Sequence, residues 1–260
     1  MSVFSRLLAV AGLIVAGGLI GYYYGNVEPP VHNESPAATL TVPGREATRE
    51  IIREYLLERP EILEDAMMAL RARRQEEKRA RTQAAIADNR AALLSHDMSP
   101  VSGNPDGDVT LVEFFDYACG YCKRSLAVMI NLLNSDPQLR VVWKELPVLG
   151  PMSRTAARAS MAAARQGRYL EFHEAVMGTR DGLSEESMLA SAERVGLDVS
   201  RLQQDMADPA IEAYLDETNE LARKLGIEGT PAFLIGDTLV PGAVGEARLK
   251  QLIAEARSGG

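Results

Sequence analysis

Cysteine is nearly absent from this 260-residue chain, which has two, Cys119 and Cys122. Two cysteines cannot staple a small scaffold with several disulfides, nor can they make a four-cysteine zinc module. Histidine is as scarce: His32, His96 and His173 are widely separated, so nothing completes a zinc site around the pair and no cofactor is expected. Lys123 follows Cys122 where covalent haem attachment would need histidine. An excess of positive charge is missing too. With 28 Lys and Arg against 36 Asp and Glu the net charge is -8, which excludes a nucleic-acid partner, because phosphate recognition needs a basic surface. The charged fraction of 25% and hydrophobic fraction of 46% are those of an ordinary globular protein, so wholesale disorder and a polytopic membrane protein are excluded as well.

What is present is a spacing. Two cysteines scattered at random would fall this far apart roughly once in 130 placements. They occur in V-E-F-F-D-Y-A-C-G-Y-C-K-R, with Cys119 just after a strand-like run and at the start of a helical pattern. Unpaired N–H groups and the positive end of the helix dipole stabilise a thiolate there, which makes the outer sulfur the attacking species. Cys122 is about one turn further on, close enough to close a disulfide and resolve a mixed one.

The rest of the chain falls into four stretches. Leu7 to Tyr24 carries no charge, and its length at helical rise spans about 27 Å, close to the hydrocarbon thickness of a membrane. Arg6 precedes the run and no Lys or Arg follows until Arg45, so residues 1–24 read as a signal anchor with the remainder exported, or as a signal peptide cleaved near Ala16 to Gly18. Residues 25–44, rich in Pro, Gly, Asn and Ser, read as a flexible linker. Residues 45–96 are helical: Ile51, Ile52, Tyr55 and Leu56 recur at one-turn spacing, Arg59-Pro60 breaks the helix, and Pro60 suits the first position of the next. Ile62, Leu63, Ala66, Met67 and Leu70 continue a narrow apolar stripe beside a charged face with pairs such as Glu77 and Arg81. Such a helix buries too little alone, so it must pack on the following domain, on a copy of itself, or on both; self-association through the stripe is the favoured reading, with a solvated linker helix as the alternative.

From residue 97 the pattern is a loop to Asp108, a strand Val109 to Phe115, a helix Gly120 to Leu133 and a strand Leu139 to Trp143. An Ala-rich helical block follows at about 151–226, broken at Gly167, Gly182, Gly196 and Asp208-Pro209. A hairpin, Ala232 to Ile235 and Thr238 to Val240, and a last helix from about Gly245 to Arg257 close the chain. Phe114, Phe115, Phe233 and Trp143 read as core.

The C-G-Y-C motif after E-F-F-D-Y, the later G-T-P-A-F-L-I before a hairpin, and the helical block between them resemble the DsbA-type thioredoxin-fold proteins of the bacterial cell envelope over residues 97–260. Y-L-L-E-R-P-E-I-L-E-D-A and the charged helix after it resemble the amino-terminal region of ScsC-like members, which can join several thioredoxin domains. The resemblance implies an α/β thioredoxin fold with a helical insertion, preceded by a helical region and a membrane-spanning or signal segment. It implies a periplasmic or envelope protein-disulfide oxidoreductase without a cofactor, acting on protein substrates with cysteines, with a membrane redox partner of DsbB or DsbD type.

It also implies roles for further residues. Thr230-Pro231 matches a cis-proline loop that lies against the cysteines and offers backbone to a substrate strand. Glu113 matches an acid beneath the cysteines, hard to ionise in a buried strand and able to exchange a proton with Cys122; Lys144, ending the next strand, is its expected ionic partner. Gly120 and Tyr121 help set the redox poise. Gly-Tyr and the Thr before Pro231 are shared with isomerase-type members, which points to an isomerase or reductase; a dithiol oxidase is the alternative. A chaperone module and a Cu(I)-handling protein are the readings from other classes.

Overall fold

A computed structural model describes residues 44–179 and 182–259. The described residues divide between Glu64 and Asp65 into two compact units. In the first, helix α1 (Arg45–Glu58) has Glu46 in its first turn, where a negative charge favours the helix dipole, and buries no residue. Ile51, Ile52, Tyr55 and Leu57 are all exposed. The helix stops at Arg59 because the residue before a proline is pushed out of helical geometry, here to φ -129 and ψ 65. Helix α2 (Glu61–Asp88) begins one residue after Pro60, so the proline stands just outside the helix it was expected to open.

The second unit takes in α2 from Asp65 onward. The expected Glu77–Arg81 pair is not made: the Glu77 carboxylate takes Arg73 Nε at 3.1 Å, and Arg81 Nε donates to the Glu77 carbonyl at 3.2 Å. A short helix, α3 (Arg90–Leu94), follows. The sheet has strands β1 (Val101–Gly103), β2 (Val109–Phe115), β3 (Leu139–Glu145), β4 (Ala232–Ile235) and β5 (Thr238–Pro241), in the order β1-β3-β2-β4-β5. β2 and β3 are parallel, joined by α4 (Gly120–Ser135), and the other pairs are antiparallel. β1 lies in the stretch expected to be loop. Three residues hold no period to detect, and pairing with the free edge of β3 is what makes them a strand.

Because side chains alternate along a strand, Leu111, Glu113 and Phe115 face one side of the sheet with Val141, Trp143 and Glu145, while Val112 and Phe114 face the other with Val142 and Lys144. The first face carries the larger core, which includes Cys119, Cys122, Phe172 and Leu249. On the second face Ile86 and Leu93, from the amino-terminal helical region, pack with Val112, Phe114, Leu221 and Leu225. Each fully buried Leu, Ile or Phe contributes roughly 1.5–3 kcal/mol, so α2 and α3 help hold the sheet together.

Among the described residues the insertion between β3 and β4 is five helices, α5 (Pro151–Arg165), α6 (Tyr169–Met177), α7 (Glu185–Arg194), α8 (Val199–Met206) and α9 (Pro209–Leu225). Gly167, Gly182 and Gly196 stand between them at φ +70, +89 and +76, a region other residues rarely adopt. Asp208 caps α9, accepting from the Ala210 N–H at 2.8 Å. Helix α10 (Glu246–Gly259) closes the unit. Among the described residues no helix is long and apolar enough to cross a membrane. The expected anchor at residues 7–24, and all of the expected linker except Gly44, lie outside them.

Candidate active site

Cys119 is the N-cap of α4, and its sulfur accepts the Cys122 N–H at 3.3 Å. The thiol also donates to the Thr230 carbonyl at 3.3 Å, which brings residues 111 positions apart into contact, and the Thr230–Pro231 peptide is cis. Both cysteines are free thiols in this structure. Their environments pull them apart. Burial pushes the Cys119 thiol up, but hydrogen bonds from Thr230, from Cys122 and from the N–H groups of Cys122 and Tyr121 outweigh it and leave the pKa below the usual value. Burial pushes the Cys122 thiol well up, and nothing outweighs it. The pair can therefore support thiol–disulfide exchange, with the ionisable sulfur outermost.

Between them, Tyr121 is exposed and the Arg124 guanidinium lies 4.2 Å from its ring centroid, a cation–π contact. Gly120 has space for a side chain, since an added Cβ would meet only the end of Arg124 at 3.8 Å.

Glu113 is buried in the middle of β2 on the cysteine side of the sheet, and its carboxyl makes no hydrogen bond among the described residues. Burial first, and then the charge of Cys119, push its pKa up to about 8. Lys144 is not its partner, contrary to expectation. In the register Glu113 sits beside Trp143 and Lys144 beside Phe114, so the pleat sends the two charged side chains to opposite faces. Lys144 Nζ donates to the Ala92 carbonyl and Ser99 Oγ, both at 2.6 Å, pinning the α3 region to the sheet. Burial lowers its pKa to about 8, against the pull of Glu217.

Sequence reasoning missed Asp116, which is buried directly between β2 and the dithiol and accepts four hydrogen bonds. Its one signal was a polar residue straight after an apolar strand. Also missed was a buried polar network on the same side: Tyr117 bonds Ser160 at 2.6 Å and His173 Nδ1 at 3.0 Å, and Tyr169 donates to Glu145 at 3.0 Å. Burial pushes Glu145 well above the usual carboxylate value and His173 down to about 3, so the His173 imidazole is neutral near pH 7. These residues come from β2, β3 and the insertion, and no linear motif joins them.

Comparison with known proteins places this geometry. A family model described as a DSBA-like thioredoxin domain matches residues 110–254, and another, described as the copper resistance protein ScsC N-terminal domain, matches residues 45–77. Among solved structures, a thioredoxin-like oxidoreductase from Silicibacter pomeroyi is 46% identical, covering 65% of this chain and 98% of that one, with a TM-score of 0.64. ScsC of Proteus mirabilis in a transitional conformation is 32% identical, covering 83% of this chain and 97% of that one, with a TM-score of 0.64. Among curated proteins, an Na(+)/H(+) antiporter NhaA of Salinispora tropica is 32% identical over 54% of this chain, and one of Salinispora arenicola 29% identical over 63%. The chain spans only 22% and 25% of the length of those two relatives.

Proposed function

We propose a function from one premise: the chain belongs to the DSBA-like thioredoxin-domain family. It is a thiol-disulfide oxidoreductase of the periplasm or cell envelope that acts on protein substrates through Cys119 and Cys122. The observation that carries this reading is the pairing of a lowered outer thiol with a raised inner one beneath the Thr230 carbonyl.

The Cys119 thiolate attacks one sulfur of a substrate disulfide. A Cys119–substrate bond forms, the substrate's own S–S bond breaks, and its other sulfur leaves as a thiolate. Cys122 then loses its proton to the Glu113 carboxylate and attacks Cys119. A Cys119–Cys122 disulfide forms, and the substrate leaves with both sulfurs reduced. Run backwards, the same steps oxidise a dithiol. Thr230 and Pro231 offer backbone to an extended substrate strand beside Cys119, and Gly120 and Tyr121 set the poise. Lys144, on the opposite face, takes no part.

Within this class we favour isomerase or reductase over oxidase, because Gly120-Tyr121 provides no imidazole between the sulfurs. The exposed stripe on α1, together with the ScsC N-terminal match at residues 45–77, supports homo-oligomerisation through residues 45–96. Residues 7–24 tether the protein to the inner membrane, where a DsbB- or DsbD-type protein resets the dithiol. A Cu(I)-handling role is the weaker reading: the two thiols would be the whole donor set, since the described residues gather no group of three or more His, Cys, Asp or Glu fit for a metal. The test is insulin reduction together with refolding of scrambled ribonuclease. The wild type should catalyse both and Cys119→Ser neither, and survival of activity in that variant would refute the enzyme reading.

A further inference from the structure

Asp116 lies between the last residue of β2 and the turn that ends at Cys119. Its Oδ1 accepts from the Ala118 N–H and the Ser153 hydroxyl, both at 2.7 Å, and its Oδ2 from the N–H groups of Val148 and Leu149, both at 2.9 Å. Its own backbone completes the turn. The Asp116 carbonyl accepts the Cys119 N–H at 3.0 Å.

The topology explains why a carboxylate belongs there. Phe115 and Glu145 form the last rung between β2 and β3, and Leu146 N–H closes the ladder on the Phe115 carbonyl at 2.9 Å. Beyond it the two chains part, one toward the cysteines and the other toward α5. The Val148 N–H is shared with the Leu146 carbonyl, and the Leu149 N–H finds Asp116 alone. Ser153 sits in the first turn of α5. One side chain thus joins three segments: the turn that presents Cys119, the turn that leaves β3, and the start of the helical insertion.

We propose that Asp116 is a positioning residue for the redox pair: it clamps the turn before Cys119 to two rigid neighbours and so keeps the outer sulfur in line with the N–H groups at the start of α4. The inference rests on the dithiol reading above. A clamp and a bare charge act with opposite sign. Acting merely as a nearby negative charge, Asp116 would oppose the thiolate, and its removal would make Cys119 more acidic. Acting as a clamp, its removal lets the turn drift and makes Cys119 less acidic, which disfavours the reduced form.

Asp116→Asn keeps the shape but turns an amide NH2 toward donors, and the thiolate absorbance of the reduced protein and its equilibrium with glutathione read the result. The Cys119 pKa should rise, and the equilibrium should shift toward the Cys119–Cys122 disulfide by about tenfold, which is about 30 mV for a two-electron couple. A fall in the pKa, or no change in either quantity, would overturn the proposal. Ser153→Ala removes one of the four donors and should shift both in the same direction by less. Should the Asn variant not fold, an unshifted Cys119 pKa in Ser153→Ala overturns the proposal instead. Failure of the wild type to exchange with protein disulfides would refute the enzyme reading and not this one, because both measurements are made on the cysteine pair alone.

Discussion

Glu113 and Lys144 lie on neighbouring strands, one register step apart, yet face opposite sides of the sheet, so Lys144 does not neutralise the buried acid beneath the dithiol. Burial is the leading cause that holds it protonated up to about pH 8, and that bears directly on how a proton reaches Cys122.

Replacing Glu113 with Gln should slow the resolving step by about 100-fold, the lower part of the range for a positioned general base. It should also erase a rise in rate on raising pH through about 8, where Glu113 ionises. Stopped-flow release of a mixed disulfide across pH checks both; an unchanged pH profile would remove Glu113 from the mechanism. Stability moves the opposite way. A carboxyl with a folded pKa above its unfolded value stabilises the fold fully below about 4.5 and loses that contribution as pH rises through about 8. Denaturant titrations should find this loss in the wild type and its absence in Glu113→Gln.

A hydrogen bond from the Thr230 side chain, distinct from the carbonyl that accepts the thiol, is among the contacts that lower the Cys119 pKa. Thr230→Val keeps the shape and removes the hydroxyl. Loss of one such bond, about 1 kcal/mol, should raise the Cys119 pKa and cut the thiolate fraction at neutral pH about fivefold. Alkylation rate as a function of pH measures this directly.

Lys144→Met should leave the reduction potential at its wild-type value, because the ammonium points away from the cysteines into the α3 region. The same change deprives the Ala92 carbonyl of its donor and should cost about 1–3 kcal/mol, with faster amide exchange over residues 90–99. The pH signature is separate from that of Glu113. A lysine whose folded pKa lies below its unfolded one adds stability only as pH climbs from about 8 toward 10.5, and that gain should vanish in the variant.

Charge placed on the exposed face of α1, as in Ile51→Glu with Tyr55→Glu, should convert a multimer to a monomer in light scattering of residues 45–260 while leaving reduction of a small disulfide intact. An unchanged mass would refute oligomerisation through this helix. Deletion through residue 96 is a poorer test. It strips Ile86 and Leu93 from the sheet, at about 2–5 kcal/mol for each such side chain removed from a core.

Much of the fold was legible because its signals are local. A proline ends α1, glycines at positive φ separate the insertion helices, an Asp-Pro pair opens α9, and alternating and helical periods mark β2, β3 and α4. The dithiol was legible for the same reason: capping geometry and a one-turn spacing need only consecutive residues. Other features needed a partner distant in sequence. β1 is a strand only because β3 leaves an edge open, Ile86 and Leu93 are core only because the second face of the sheet needs covering, and Asp116 acquires three of its four donors from a turn and a helix more than thirty residues away. Register decided the rest. A strand alternates its faces residue by residue, so the sequence alone could identify Glu113 and Lys144 as charged residues in buried strands, but only the pairing of β2 with β3 sends one to the sulfurs and the other away from them.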